Sequence, residues 1–333
     1  MEFRWSTFEE IGKDTWNALV ERSQTNVPFL RYEFQQAWWE GRGGGEWPQA
    51  EQALIAAWEG QEPVGIAPLF RAPHQGKQAL LLLGSIEIAD YLDFILPPSQ
   101  GPAFVRGLLD FLEQAGGWEM LSLYNLPEHS PTRSWLIAEA QRRGWEWQEA
   151  IYQPTPYIPL TADFEAYLAT IDKKQRHEIR RKLRRAAEYP LPVRWRLIGP
   201  QDDLEAAIQD LFDLMRQDEA KARFLTPAME QQLETIIRAA QREGWLHLSL
   251  LEVGGKAAAA SLNFDYQNRL WGYNSGMSLE FRELSPGWVC LAHVLQWACT
   301  QRRSEFDFMR GNEEYKYRFG AQDRYVMRLT LQP

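Results

Sequence analysis

The chain has 333 residues, more than one ordinary hydrophobic core accommodates, so two domains are expected. Its net charge of −9 argues against general nucleic-acid binding, and 45% apolar with 24% charged residues is typical of a globular protein. The N-terminus lacks a basic-then-apolar secretion pattern, and no apolar run approaches the length of a membrane span. We therefore predict a cytoplasmic protein without membrane insertion.

The N-terminal half begins with two helical patterns, which a glycine-rich loop at 41–48 separates from a hairpin. The hairpin strands are predicted at 53–58 and 64–70. The remaining elements of this half are strands at 79–83, 91–96 and 119–123 and helices at 102–115 and 132–143.

The domain boundary is predicted at Gln153-Pro154-Thr155-Pro156, because two closely spaced prolines disfavour a helix. The predicted domains are therefore 1–153 and 154–333. The second has a basic helix at 173–188, amphipathic helices at 203–220 and 227–242, and a meander at 247–253, 257–264 and 269–274. It continues with a helix from Ser285-Pro286-Gly287 to about 301, a strand at 305–309, a helix at 313–319 and a closing strand at 325–331.

The two halves resemble each other in the order of their elements. In each, a strand, a glycine turn and a strand precede a glycine-proline helix start, a helix and a further strand. We infer a duplicated unit and an α/β fold class (α+β mixed sheet) with helices flanking each sheet. The first copy has Tyr124-Asn125-Leu126-Pro127 where the second has a lysine-bearing segment, so any chemistry should belong to the second copy.

The most specific segment is FDFMRGNEEYKYRFG, at 306–320, a strand that breaks at Arg310-Gly311 and becomes a short aromatic and basic helix. This segment resembles the GNAT acyltransferase superfamily. So do KKQRHEIRRKLRRAAE and SPGWVCLAH in the second half, and VPFLRYEFQQAWWE, GIAPLF and DYLDFIL in the first half. More closely, it is similar to the two-domain CelD-like acetyltransferases associated with polysaccharide biosynthesis, relatives of the Fem aminoacyltransferases. The resemblance implies two tandem GNAT-like domains, the first degenerate, each with a mixed, mostly antiparallel sheet.

The resemblance implies an acyl-CoA donor, for example acetyl-CoA, with its phosphates at the helix start after Ser285. A helix start carries free N–H groups and a partial positive charge. The family also implies that the strands at 269–274 and 305–309 splay to admit the thioester. Read without the resemblance, the helix start is an ordinary proline-containing cap. The expected cofactor-binding residues are Arg282, Ser285, Gly287, Trp288 and Val289.

The resemblance also implies a catalytic helix at 312–320. Tyr315 or Tyr317 would protonate the leaving thiolate, and Lys316 would neutralise an oxyanion or a donor phosphate. Asp307 is a candidate general base, with Glu313 and Glu314 as alternatives. A buried carboxylate needs a partner, and Arg310 or Lys316 is expected to pair with Asp307. The alternative is that Tyr317 and Phe319 are core residues, Lys316 is solvated and the ion pair is structural.

The basic helix carries eight Lys or Arg residues in 13 positions. It indicates an anion site for coenzyme A phosphates, a phosphate-bearing acceptor or tRNA, or else a solvated face balanced by acidic residues. We expect Arg176 and Arg180, one turn apart, to point inward. With Arg310 and Asn312, they are the expected acceptor- or phosphate-binding residues. No metal site is expected, because the histidines and cysteines show no metal-ligand spacing.

Three functions remain open at the level of sequence. The first is GNAT-type N-acyl transfer to an amine or hydroxyl of a small-molecule or saccharide acceptor. The second is Fem-like aminoacyl transfer from tRNA, which the basic helix favours and the negative net charge disfavours. The third is a non-catalytic glycan-binding or scaffold protein of exopolysaccharide biosynthesis, suggested by 15 tryptophans, which core packing also explains.

Overall fold

The structure, a computed structural model, describes residues 1–333. The elements up to residue 154 are β1 (Glu2–Trp5), α1 (Phe8–Ile11), α2 (Lys13–Arg22), α3 (Tyr32–Gly41), β2 (Glu51–Gln52), β3 (Ile55–Glu59), β4 (Glu62–Ala67), β5 (Leu69–His74), β6 (Lys77–Leu82), α4 (Gly101–Ala115), β7 (Met120–Pro127), α5 (Thr132–Arg143) and β8 (Glu146–Pro154). The later elements are β9 (Tyr157–Pro159), α6 (Phe164–Thr170), α7 (Lys173–Ala187), β10 (Val193–Leu197), α8 (Leu204–Met215), α9 (Glu219–Phe224), α10 (Pro227–Arg242), β11 (Leu246–Val253), β12 (Lys256–Tyr266), β13 (Arg269–Met277), α11 (Pro286–Thr300), β14 (Glu305–Asp307), α12 (Glu314–Arg318) and β15 (Tyr325–Gln332).

The chain divides into two compact units, one of Met1–Pro154 with Tyr325–Pro333 and one of Thr155–Arg324. The prediction that the last strand closes the second sheet is wrong. β15 lies between β7 and β8, antiparallel to both, so it completes the sheet of the first unit. The predicted second domain therefore extends too far at its C-terminus, because the strand pattern at 325–331 does not reveal its partners.

The first unit has a six-stranded sheet in the order β2-β5-β6-β7-β15-β8 and a three-stranded sheet in the order β1-β3-β4. The predicted strand at 91–96 is wrong, because only Ile95 forms a β-bridge there, with Ile66. Leu92 and Phe94 are nonetheless fully buried, so the apolar pattern reflects packing rather than strand pairing. The edge strand β8 was not predicted.

The second unit has a six-stranded sheet in the order β10-β11-β12-β13-β14-β9. The predicted meander is confirmed: β11, β12 and β13 pair antiparallel, and their turns are at Gly254-Gly255 and Gln267-Asn268. α11 then leads into β14, which lies parallel to β13. The core of this unit includes Leu270 and Phe306 of the sheet and Leu295 of α11.

The two six-stranded sheets share one arrangement, which agrees with the inferred duplication. β5 and β6 are antiparallel, and α4 connects β6 to the parallel strand β7. β12 and β13 are likewise antiparallel, and α11 connects β13 to the parallel strand β14. The mixed α/β fold predicted from the sequence is confirmed.

Candidate functional site

Two neighbouring strands of the second unit part from each other next to the start of α11. β13 and β14 pair only as far as Trp271 and Asp307, whereas β13 continues to Met277 beside β12 alone. The edge of β13 from Gly272 onward therefore has no strand on that side, and such an edge can hydrogen-bond an extended ligand. A Cβ at Gly272 would lie 2.8 Å from the Phe306 ring, so glycine permits the close approach where the strands part.

The start of α11 offers fewer free amides than the sequence predicts. The N–H groups of Trp288 and Val289 both donate to the carbonyl of Ser285, at 2.9 and 3.2 Å. The expectation that Trp288 and Val289 contribute free amides is therefore wrong, because Ser285, in a left-handed conformation at φ 53°, directs its carbonyl along the helix. The Gly287 N–H has no protein acceptor and remains available. Arg282 is exposed in the preceding 3-10 turn.

A lysine that the sequence analysis did not single out lies at the same helix start. The Nζ of Lys182, on α7, donates to the Ser285 Oγ at 2.6 Å and lies 5.0 Å from the centroid of the Trp288 ring. Only 16% of its side chain is exposed, and it also pairs with Glu178 at 3.5 Å. This ammonium adds positive charge at the positive end of the α11 dipole, which favours an anion there.

The sequence contains a signal for Lys182. Ile179 and Ala186, three positions before it and four after it, are buried, so Lys182 borders the apolar stripe of α7 that packs on α11. Arg176 and Arg180 instead bond to α6: Arg180 pairs with Glu165, and Arg176 Nη1 donates to the Ala169 carbonyl at 3.4 Å. The prediction that these two arginines point inward toward an anion is wrong, because α6 supplies them with acceptors.

Lys316 is buried and organises the loop before α12. Only 2% of the residue is exposed, and its Nζ donates to the carbonyls of Arg310 at 2.9 Å, Gly311 at 3.1 Å and Met309 at 3.4 Å. Its Nζ also lies 2.9 Å from the Glu313 Oε2. Four acceptors surround three protons, so the ammonium is engaged with the chain itself rather than free. The alternative that Lys316 is solvated is wrong, because the residue is buried.

The two tyrosines of α12 have different surroundings. Tyr317 donates from its hydroxyl to Asp323 Oδ1 at 2.8 Å and is 37% exposed, so it is not a core residue. The Tyr315 hydroxyl has no hydrogen-bond partner in the protein, and its ring meets that of Phe308 edge-on at 5.9 Å. Tyr315 is 39% exposed, about as much as Tyr317, and desolvation of its hydroxyl end, with a smaller contribution from Glu313, raises the pKa of its phenol. The geometry thus distinguishes two residues that the sequence does not.

Asp307 is held by a backbone N–H and by Arg324, neither of which the sequence analysis named. Its Oδ1 accepts from the Met309 N–H at 2.7 Å, and its Oδ2 accepts from Arg324 Nη2 at 3.1 Å. Arg324 also bonds to Glu305 at 2.8 Å. The expected pairing with Lys316 is wrong, because the Lys316 Nζ bonds to the 309–311 carbonyls and to Glu313, and Arg324, after α12 in the chain, reaches back to the end of β14. Asp307 is 1% exposed, so its carboxylate has little contact with solvent.

A second lysine missed by the sequence analysis lies beside the parted strands. Lys221, on α9, donates from its Nζ to the Ser275 carbonyl of β13. Burial lowers the pKa of Lys221, the charges of Asp218 and Glu313 raise it, and Lys316 lowers it further. α9 and the loop before α12 are thus electrostatically coupled near β13. Asn312 is exposed in this loop, and Arg310 is half-buried.

Part of the second unit matches a known protein family. Residues 173–317 match the acetyltransferase (GNAT) domain family. The matched range begins with α7 and ends within α12, so it includes the parted strands, the start of α11 and the Lys316 loop. No curated protein matches the chain.

Solved structures share the fold over almost the whole chain. FemX is 13% identical with a TM-score of 0.66, covering 98% of this chain and 97% of that one. A conserved protein of unknown function from Bacteroides thetaiotaomicron is 12% identical with a TM-score of 0.60 and complete coverage of both chains. L-PGS from Bacillus licheniformis is 10% identical with a TM-score of 0.57, covering 96% of this chain and 91% of that one. At these identities the likeness shows the fold alone.

No group of three or more His, Cys, Asp or Glu side chains is arranged to hold a metal ion. Every helix is too short or too polar to cross a bilayer.

Proposed function

We propose that the second unit transfers an acyl group from acyl-CoA to an amine or hydroxyl of a small-molecule or saccharide acceptor. The observation that carries the proposal is the parting of β13 from β14 after Trp271, next to the start of α11. The free edge of β13 would hydrogen-bond the amides of the donor's pantetheine arm. The Gly287 N–H and the Lys182 ammonium would hold a donor phosphate.

The proposed reaction forms one bond and breaks one. The acceptor nitrogen or oxygen attacks the thioester carbonyl, a new C–N or C–O bond forms, the C–S bond breaks, and the acceptor releases its proton to solvent water, from which the proton donor is later recharged. The departing thiolate gains a proton, and we assign its donation to Tyr315, whose phenol is protonated and has no partner in the protein. Lys316 would act by holding the 309–311 carbonyls in place, which makes it a positioning residue.

Calorimetric titration with acetyl-CoA and with longer acyl-CoA donors tests the proposal. Lys182→Gln should weaken donor binding roughly tenfold or more, because a charge-assisted hydrogen bond contributes about 1.5–3 kcal/mol. Arg181→Gln is the matched control: it is adjacent on α7, is 56% exposed and pairs only with Glu178. Absence of binding and of thermal stabilisation by every acyl-CoA tested would overturn the proposal.

The role of Tyr315 is tested by comparing Tyr315→Phe with Tyr317→Phe. If a donor is turned over, Tyr315→Phe should lower kcat by roughly 10²-fold and leave donor affinity unchanged, as expected for loss of a general acid. Tyr317→Phe, which removes the bond to Asp323, should retain activity. Equal losses in the two variants would remove Tyr315 from the mechanism.

A second candidate is aminoacyl transfer from tRNA, and the charge of α7 favours it. Of its eight cationic residues, only Arg180, Arg181 and Lys182 form ion pairs with carboxylates. The remaining cations leave a positive face that phosphates could neutralise. An electrophoretic shift with tRNA that weakens steeply as salt rises would support this function, and no shift at low salt would exclude it.

A further inference from the structure

An arginine on the sheet of the first unit has no carboxylate partner. Arg328, on β15, is half-buried, and its Nη2 donates to the Gln75 Oε1 at 2.8 Å and to the Ser122 Oγ at 3.4 Å. Its buried Nε has no hydrogen-bond partner. A guanidinium removed from water is usually compensated by an anion, since neutral acceptors recover only part of its hydration.

Arg328 lies in a cluster of polar and aromatic side chains. The guanidinium lies 4.6 Å from the centroid of the Tyr124 ring, a cation–π contact. The Tyr124 hydroxyl lies 2.9 Å from His74 Nε2 and also accepts from Gln75 Nε2 at 3.4 Å. Tyr152 closes one side, with its ring 5.0 Å from that of Tyr124. Burial, followed by the charge of Arg328, lowers the pKa of His74, so His74 does not add a fixed charge near neutrality.

The strand register keeps this cluster open on one side. Arg328 faces Ala150 across the β15–β8 pairing, and Ala150 is exposed. On the other side, Ser122 pairs with Thr330 and lies on the same face of the sheet. A small side chain beside the guanidinium leaves room for a ligand where a glutamate or aspartate would otherwise have neutralised the charge. The neighbouring Glu149 points to the opposite face of β8, where it pairs with Arg133 at 2.6 Å.

We propose that the first unit binds an oxyanion, a carboxylate or a phosphate, at Arg328, with Tyr124 and Gln75 fixing the guanidinium. Arginine suits this role because its planar fork can bind two oxygens at once. The first unit is therefore a binding module for an acidic ligand. The inference does not depend on acyl transfer, because every residue it uses lies in the other unit.

Thermal unfolding at constant ionic strength tests the proposal, with sodium chloride replaced by phosphate or acetate. At roughly 50 mM anion the wild-type midpoint should rise by about 2–4 °C, because a ligand that binds only the folded state stabilises it. The more effective of the two anions identifies the ligand class. Arg328→Met should abolish the rise, and Arg133→Met, which removes the paired arginine behind β8, should retain it. Arg328→Lys should reduce the rise, because charge is kept and the fork is lost.

A measurement on the wild-type protein tests the proposal even if the Arg328→Met variant fails to fold. The side-chain Nε–H resonance of Arg328 in ¹⁵N NMR spectra should shift saturably with the same anion, and that of Arg133 should not. If the midpoint rises equally in wild type and Arg328→Met, the anion binds elsewhere and the proposal is wrong. It is also wrong if neither anion changes the wild-type midpoint or the Arg328 resonance.

Discussion

Replacing Lys316 with methionine should destabilise the second unit, because the lysine supports the loop before α12. The substitution keeps most of the side-chain volume and removes all of the ammonium's hydrogen bonds. The Met309 carbonyl is buried and would lose its acceptor bond, at a cost of about 1–3 kcal/mol. The carbonyls of Arg310 and Gly311 are partly buried and can regain water, at about 0.5–1 kcal/mol each. Loss of the pairing with Glu313, which is 59% exposed, adds little.

The free energy of unfolding should therefore fall by about 2–5 kcal/mol. Equilibrium urea denaturation measures the change, and native-state hydrogen exchange at residues 309–318 locates it in this loop. The control is Arg318→Met on the same short helix, because Arg318 forms an exposed pair with Glu314 and should change stability by less than about 0.5 kcal/mol. If Lys316→Met were as stable as wild type, the carbonyl bonds would not hold the loop, and the ammonium would be free for chemistry.

Two further predictions concern the sheet of the second unit. Gly276→Ala should lower the free energy of unfolding by about 1–3 kcal/mol, because the added Cβ would lie 2.5 Å from the backbone nitrogen of Met215 on α8. The control, Gly199→Ala, should be nearly neutral, because its Cβ would meet only a flexible side chain at 3.5 Å. Equal losses of stability in the two variants would contradict the packing argument. Burial lowers the pKa of His247 to about 4 from 6.5, so the unfolded chain binds a proton before the folded one does, and stability should fall by on the order of 3 kcal/mol as the pH drops from about 6.5 to 4. His247→Gln should flatten this pH dependence of the urea midpoint, and an unchanged slope in that variant would refute the assignment.

The local elements of the second unit could be predicted because their signals are short-range. The Gly254-Gly255 turn joins two runs with strand preference, and Pro286 marks the start of α11. Strand partners could not be predicted in the same way. The pattern at 325–331 indicates a strand, and nothing in it specifies pairing with β7 and β8, more than 170 residues earlier.

The site was predicted at the level of segments rather than atoms. The helix start after Ser285 and the loop before α12 were both identified, because a glycine next to a cap or a break is visible in sequence. The partners of individual charges were not. Arg324 reaches Asp307 and Lys182 reaches Ser285 only once helices and strands have packed. From the sequence alone, each charged residue therefore had several possible partners.

The placement of β15 has a consequence for how the polypeptide can be divided. The chain enters and leaves the second unit at adjacent points, since the Thr155 N–H donates to the Arg324 carbonyl at 2.7 Å. Residues 155–324 thus form a continuous insertion that could be excised as a separate fragment. A fragment ending at residue 154 would lack strand β15, which pairs with β7 on one side and β8 on the other, and would leave those two strand edges unpaired. On a ribosome, the sheet of the amino-terminal unit must therefore wait for the synthesis of residues 325–332 before it can close.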